Sequence, residues 1–543
     1  MAGTGNGSMA RVITASSAGT AFEWYDFFIF GSLTPIISKI FFAGLDPTPA
    51  LVAALALFAV GFAFRPLGAI LFGAMGDRVG RKATFLVTVS LMGGATFAIG
   101  LLPTYAMAGL LAPVLLIVLR ICQGTALGGE YGGAAIYVAE HAEDRKRGAA
   151  TGWIQASASF GLLAALLVIF VTRSLVGEDA FGAWGWRIPF LFSAVLLAIS
   201  VWMRTTLNES PAFAKLREEG ATTKTPLREA FADPRSLRQV LIAFFGIMCA
   251  QGAVWYFTFF YLQVFLEKTL GLPGATKDML LIVMTLASAP LYVLFGALSD
   301  RLGRKPVMVG GMLLALLLYF PGSHWIAEAA NPALAVAQRT TPVVVETDPA
   351  TCSSQFDPTG TAKFSSACDL AKAALVTRGI GYSTRASADG QTRVLAGSVA
   401  VPVAGASGQP GPAVKAAKTK AADAINAELA GAGYPKSADP AAIDWVKLVG
   451  TLLLFVVAAT ALYGPQAAAL VEMFPTRVRY TALSLPYHFG TGWVGGFLPV
   501  TSFAIVAATG NPYAGLWYSV IFTAISVAVT LLLVRETSGE SIS

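Results

Sequence analysis

Gly73-Ala74-Met75-Gly76-Asp77-Arg78-Val79-Gly80-Arg81-Lys82 returns 223 residues later as Gly296-Ala297-Leu298-Ser299-Asp300-Arg301-Leu302-Gly303-Arg304-Lys305. A basic loop that only sets topology would account for the cations, but not for the whole pattern occurring twice. Each copy joins the second and third apolar run of its half. The chain therefore reads as two halves of common ancestry, an architecture that places a binding site at mid-membrane between the repeats. The physical content expected of the motif is a tight glycine turn, an aspartate near the positive N-terminal end of the next helix, and a basic cluster able to pair with it.

Working outward, the 543 residues are 55% hydrophobic and only 13% charged, with mean hydropathy +0.65. Soluble chains carry about 25% charged residues, so an ordinary soluble enzyme is excluded. Runs long enough to cross a bilayer fall near 15–41, 51–75, 84–102, 108–138, 148–172 and 185–203, then 239–266, 278–299, 305–322, 446–470, 480–508 and 512–534. The expected fold is all-α and integral to the membrane: twelve helices in two six-helix halves, 15–204 and 239–534. Arg78, Arg81, Lys82, Arg145, Lys146, Arg147, Arg301, Arg304, Lys305, Arg477 and Arg479 all fall in connectors on one side, whereas the turns at 43–50 and 103–107 carry no positive charge. By the positive-inside rule the basic loops, the N-terminus (1–14), the linker (205–238) and the C-terminus (535–543) are cytoplasmic. The net charge of +7 is then topological and calls for no nucleic-acid partner. Met1 to Ala10 lacks the apolar core of a cleavable leader, so the first apolar run is expected to stay as a helix.

The duplicated loop resembles the signature of the major facilitator superfamily, and the resemblance covers all the expected helices. It implies a conformational latch made by Gly73, Asp77, Arg78, Gly80, Arg81 and Lys82 in one half and Gly296, Asp300, Arg301, Gly303, Arg304 and Lys305 in the other. Arg120-Ile121-Cys122-Gln123-Gly124 is similar to a fourth-helix R-x-x-Q-G motif associated with proton coupling. Ala139-Glu140 to Gly148 and Val471-Glu472 to Arg479 look like matching loops after helices 4 and 10. More narrowly, Glu23-Trp24-Tyr25-Asp26-Phe27, Gly128-Gly129-Glu130-Tyr131-Gly132-Gly133 and Trp186-Arg187-Ile188-Pro189-Phe190 resemble the metabolite:proton symporter branch. Its members import small carboxylates or zwitterions such as citrate, 2-oxoglutarate, shikimate, proline and betaine. The resemblance implies a monomer of the bacterial inner membrane that needs no cofactor. Asn208-Glu209-Ser210-Pro211 is reminiscent of a sugar-porter linker, but Ala250 to Tyr256 lacks the paired glutamines of a hexose site. Gly152 to Ile169 lacks the Gly-Pro pair of drug antiporters.

Ionisable side chains at membrane depth are costly and are functional candidates by default. With the first helix beginning at residue 15, Glu23 and Asp26 lie roughly 12 and 16 Å along it and share a face. Either is a proton site or pins the helix to a neighbour; Asp26 is the better proton site. Arg65 and Arg120 stay charged and must face a carboxylate, a cavity or a substrate. Gln123 and Glu130 project from nearly one face of helix 4, toward the cavity or toward a neighbouring arginine. Three carboxylates, Glu23, Asp26 and Glu130, thus oppose two arginines, and the unpaired one is free to exchange a proton. The proton-coupling set is Asp26, Glu130, Glu23 and Arg120. In the resulting scheme, protonation of Asp26 or Glu130 releases an arginine to bind an anionic substrate group, and the neutralised assembly rocks inward.

Arg65, Arg120, Gln123, Gln251, Trp255, Tyr256, Tyr261, Tyr487 and His488 are the candidate substrate contacts, with Tyr463, Gln466 and Trp493 also considered. Arginines suit a carboxylate through paired hydrogen bonds, and the faces of Trp255 and Tyr256 suit a ring or a quaternary ammonium. The alternative for the aromatics is packing, and for His488 a neutral imidazole bonded across helices. Lys39 snorkels at the outer end of helix 1.

Residues 323–445 read as an extracytoplasmic insertion. Pro342 to Glu346 and Thr392 to Val399 read as strands. Ala367 to Thr377 and Val414 to Ala430 read as helices, the latter from apolar residues at helical spacing, and Gly405 to Pro412 reads as a linker. Cys122 and Cys249 fall in helices, while Cys352 and Cys368 share the insertion and are expected to pair, since no metal-ligating cluster accompanies them. The expected function is a secondary active transporter that imports a small organic acid or zwitterion by proton symport through alternating access. The alternatives are a sugar or other solute facilitator or antiporter of the same fold, and a transporter-like nutrient sensor. No nucleophile elbow, phosphate loop or metal cluster points to an enzyme.

Overall fold

A computed structural model describes residues 6–43, 57, 60–205, 209–353 and 364–542, apart from the side chains of residues 6–8, Pro35, Glu130 and Tyr131. The first half comprises α1 (Asn6–Phe41), α2 (Arg65–Arg78), α3 (Arg81–Leu101), α4 (Leu111–His141), α5 (Arg147–Val176) and α6 (Arg187–Thr205). The second comprises α7 (Pro234–Thr269), α8 (Gly274–Leu302), α9 (Arg304–Ala330), α10 (Trp445–Met473), α11 (Arg479–Thr509) and α12 (Leu516–Leu533). Among the described residues, ten of these helices, α3 to α12, are long and apolar enough to cross a membrane. Helix α1 begins at Asn6 rather than at residue 15, and much of the run expected at 51–75 lies outside the described residues.

Helices in lipid gain little from hydrophobicity and associate instead where small residues let backbones meet. This accounts for the glycines of α2 and α4. A Cβ on Gly68 would strike the Thr125 carbonyl, one on Gly124 the Gly61 carbonyl, and one on Gly128 the Arg65 carbonyl. Gly132 and Gly133 make room on the same helix for Ser484 and Tyr480 of α11. Helix α9 runs through Pro321 to Ala330, eight residues past the expected end at 322, because proline inside a packed membrane helix does not oblige it to stop.

The insertion is accordingly 331–444 and is an α/β unit. Its sheet has the order β2-β1-β3-β4, formed by β1 (Val343–Thr347), β2 (Tyr382–Ala386), β3 (Arg393–Ala396) and β4 (Val399–Pro402). Strand β2 is parallel to β1, and β3 is antiparallel to both β1 and β4. The single strand expected at 392–399 is a hairpin, since Gly397 turns the chain at φ +64°, a conformation that glycine adopts at no steric cost. Helices Ala367–Thr377 and Gly411–Gly431 pack against the sheet, whose Val343, Val345, Val394 and Val401 are buried. The Cys352–Cys368 disulfide forms, joining a short turn to the start of the first of these helices.

Hydrogen bonds that seat the unit on the bundle include Asn331 Nδ2 to the Leu270 carbonyl at 2.8 Å, Ala438 N to the Gly271 carbonyl at 2.9 Å and Tyr382 N to the Gly510 carbonyl at 2.8 Å. These carbonyls lie in the α7–α8 and α11–α12 turns, so the cap covers the end of the second half opposite the basic loops.

Candidate functional site: a closed latch and a buried arginine site

At the basic-loop end, the two copies of the duplicated motif make equivalent contacts, and these differ from the expected geometry. Asp77 accepts hydrogen bonds from Tyr480 N at 3.2 Å and Thr481 N at 2.8 Å, at the start of α11. Asp300 accepts from Gly148 N and Ala149 N, both at 2.8 Å, at the start of α5. Each carboxylate thus sits on the positive end of a helix in the other half, not on the helix that follows it. The following helices are served from elsewhere. Glu209 accepts from Arg81 N at 3.1 Å and Lys82 N at 3.4 Å, and Glu536 accepts from Arg304 N at 2.8 Å and Lys305 N at 2.9 Å.

The second arginine of each motif pairs with the aspartate, Arg81 with Asp77 at 2.9 Å and Arg304 with Asp300 at 2.6 Å, while Arg78 and Arg301 are exposed. Lys82 Nζ donates to the Thr205 carbonyl, and Lys305 Nζ to the carbonyls of Leu531 and Val534. Gly80 and Gly303 make the turns at φ +128° and +101°. Gly73 and Gly296 instead permit close approach, Gly73 to Thr481 and Gly296 to Gly148.

Further ion pairs join the halves: Glu472 meets Arg147 at 2.8 Å and Glu140 meets Arg479 at 2.7 Å, while Arg304, in the same half as Glu472, holds that carboxylate at 3.1 Å. In the α10–α11 loop, Arg477 donates from its guanidinium to Glu229 of the linker and holds that carboxyl below the usual range. This end of the bundle is closed.

At the centre, Arg65 is 2% exposed, and its Nε and Nη2 have no hydrogen-bond partner. Its guanidinium lies 4.2 Å from the ring centre of Phe62, 4.9 Å from that of Phe27 and 6.0 Å from that of Trp24. Arg120 also lies near Phe27, at 5.7 Å, and 4.0 Å from Phe30, so one aromatic ring serves two cations. Tyr256 of α7 approaches Phe62 edge-on at 6.1 Å, bringing the second half to the same place. Behind it, Trp255 donates to Tyr292 Oη at 2.7 Å, and Tyr463 and Tyr487 share a hydrogen bond of 3.1 Å. Tyr292 has no counterpart among the sequence candidates; its signal is a tyrosine beside Pro290 in an otherwise aliphatic run.

The carboxylates sort differently from the expected balance. Glu23 pairs at 3.2 Å with Arg204, a third buried arginine that reaches in from the end of α6 where Gly19 leaves space. The expected span ended at 203, which left Arg204 outside the count. Asp26 is 5% exposed, accepts from Ser193 Oγ at 2.5 Å and has no ion pair among the described residues. Gln123 accepts from Arg120 Nη1 at 2.8 Å and donates to Thr96 Oγ1 at 2.7 Å, which ties it into the first half. The Glu130 side chain lies outside the described residues.

Gln251 and Gln466 are buried with amide atoms unpartnered. Tyr261 belongs to a separate stack with Phe265 and Phe503. Trp493, 48% exposed, is on the surface. His488 is buried beside Arg65 and Glu23 at one small cavity.

The sequence model of the Major Facilitator Superfamily matches residues 17–337. The chain is 35% identical over 328 residues to the proline/betaine transporter of Salmonella typhimurium, covering 58% of this chain and 64% of that protein. It therefore spans less than two thirds of that relative's length. It is 37% identical to the inner membrane metabolite transport protein YhjE of Escherichia coli (61% and 76% covered) and 34% identical to the citrate-proton symporter of Klebsiella pneumoniae (61% and 73%). Among solved structures, the proton:xylose symporter XylE bound to 6-bromo-6-deoxy-D-glucose superposes with TM-score 0.63 at 14% identity, over 98% of this chain and 97% of that one. The duplicated latch, the helical fold and the family match agree, and the chain belongs to the major facilitator superfamily.

Proposed function

We propose that the protein is a twelve-helix secondary active transporter which imports a small organic acid or zwitterion together with a proton, with its basic loops and termini in the cytoplasm and its cap outside. The observation that carries this reading is Arg65: a buried guanidinium, unpartnered at two nitrogens and walled by aromatic rings from both halves. A buried, incompletely bonded cation is costly, and a carboxylate is the ligand whose geometry satisfies it. Trp24, Phe62 and Tyr256 offer faces to the rest of a small solute. Transport rather than catalysis is favoured by the family and by the names of its relatives, and the absence of paired glutamines in α7 speaks against a sugar.

Asp26 is the proposed proton carrier. It is a buried carboxylate with a hydroxyl donor and no ion pair among the described residues, set in the first half near Thr96, Gln123 and Arg120. The scheme needs amending at Glu23, which is committed to Arg204 and so belongs to the scaffold of α1 and α6. In the described conformation the basic-loop end is sealed, and import requires the latch contacts to part after loading. The test is uptake into proteoliposomes under an imposed pH gradient, with L-proline, glycine betaine, shikimate, citrate and xylose as solutes. Accumulation of a carboxylate-bearing solute above equilibration supports the reading. Accumulation of xylose alone, or equilibration without accumulation, overturns it.

A further inference from the structure

An acid, a base and an imidazole from three helices converge on one small cavity between the halves: Glu23 of α1, Arg65 of α2 and His488 of α11, with Thr20 and Tyr487 beside them. Each of the three is left incomplete there. His488, 1% exposed, has no side-chain hydrogen-bond partner at either ring nitrogen, Arg65 lacks partners at Nε and Nη2, and Glu23 lacks one at Oε2. A buried imidazole with at least one nitrogen unpartnered forfeits a hydrogen bond that water would supply, so a merely structural histidine is poorly served by this place.

The groups around the ring define what a proton on it would meet. From α1, Glu23 is already answered by Arg204 at 3.2 Å. From α2 comes the guanidinium of Arg65, and from α4 the Gly128 carbonyl, with Glu130 two residues further on and its side chain outside the described residues. Its own helix adds the neutral ring of Tyr487 at 4.9 Å. With Glu23 spoken for, Arg65 is, among the described residues, the charge that opposes an imidazolium. A carboxylate bound to Arg65 removes that opposition.

We infer that His488 is a proton-binding group whose proton is linked to the occupation of Arg65 by a substrate carboxylate. The anion's arrival lets one imidazole nitrogen take a proton from solution, and its departure expels it. By reciprocity the proton tightens the binding of the anion by the same factor. Because Arg65 and His488 belong to different halves, this linkage spans the interface that opens and closes, whereas Asp26 sits inside the first half. The inference rests on the symport reading for its substrate but not for its test.

The experiment titrates the imidazole of the full-length protein in lipid nanodiscs, by infrared or nuclear magnetic resonance signals of isotope-labelled histidine. His141→Gln and His324→Gln leave His488 as the only histidine. Arg65→Gln is expected to raise the titration midpoint by about one pH unit or more, a tenfold change in proton affinity, while Arg65→Lys, which keeps the charge, leaves it near the unmutated value. Equal midpoints in the Arg65 protein and in the Arg65→Gln variant overturn the inference. Should Arg65→Gln fail to assemble, the same signal is followed in the Arg65 protein on adding L-proline, shikimate or citrate at saturation. Protonation of the imidazole supports the inference, and a solute that is accumulated in proteoliposomes yet leaves the imidazole unmoved overturns it. Failure of every solute to accumulate sinks the symport reading instead, and the Arg65→Gln titration still decides the role of His488.

Discussion

At the scale of single residues, the proposed function assigns recognition to Arg65 and energy coupling to Asp26. Arg65→Lys keeps the charge but loses the planar pair of donors; we expect it to weaken uptake by roughly 10- to 100-fold, the worth of about 1.5–3 kcal/mol for hydrogen bonds to a charged group, read as a raised KM with labelled solute. Asp26→Asn keeps the contact with Ser193 Oγ and cannot carry a proton; we expect downhill uptake to persist and accumulation driven by a pH gradient to disappear. Both residues were legible in the sequence because ionisable groups are rare in these helices. Their partners were not. Glu23 has its mate in Arg204, 181 residues away, and nothing in the local pattern of α1 or α6 reveals that meeting. Phe27, close to two arginines, reads in the sequence only as one more aromatic in a membrane helix.

Among elements, the contact of α5 with α8 and the disulfide of the cap carry separate predictions. Gly148 and Gly296 meet backbone to backbone, so Gly148→Val drives a wedge between the halves where Asp300 also docks. Thr481 is buried in the closed latch at 1% exposure. A Thr481→Cys probe, in a background without Cys122 and Cys249, is expected to react slowly with a water-soluble maleimide and roughly tenfold faster once Gly148→Val is added, a shift of about 1.4 kcal/mol. Unchanged labelling would show that this contact does not hold the latch. In the cap, replacing Cys352 and Cys368 by serine removes a cross-link worth about 3 kcal/mol for a loop of this length. Hydrogen exchange in the helix Ala367–Thr377 is then expected to rise by roughly a hundredfold, with exchange in α8 unaffected. The duplicated loop revealed the latch residues and their pairing with arginine. It could not reveal that Asp77 and Asp300 reach across to α11 and α5, since that depends on how the two halves face each other.

For the whole molecule, the latch and the arginine site form one device. The basic-loop end is sealed by Asp77, Asp300, Glu140 and Glu472, all bonded across the halves, while Arg65 stays buried in the interior with two nitrogens unpartnered. In the proposed function, loading an anion and a proton neutralises the interior and lowers the cost of separating the sealed end, so that binding at the centre is translated into movement at the end. The account is most directly tested by measuring the initial rate and final level of carboxylate uptake into proteoliposomes, with and without an inward proton gradient, for the Arg65 protein and for Arg65→Gln. We predict accumulation above equilibration that collapses when the gradient is abolished and is absent in Arg65→Gln. Accumulation by Arg65→Gln at the level of the Arg65 protein, or accumulation indifferent to the gradient, would contradict it.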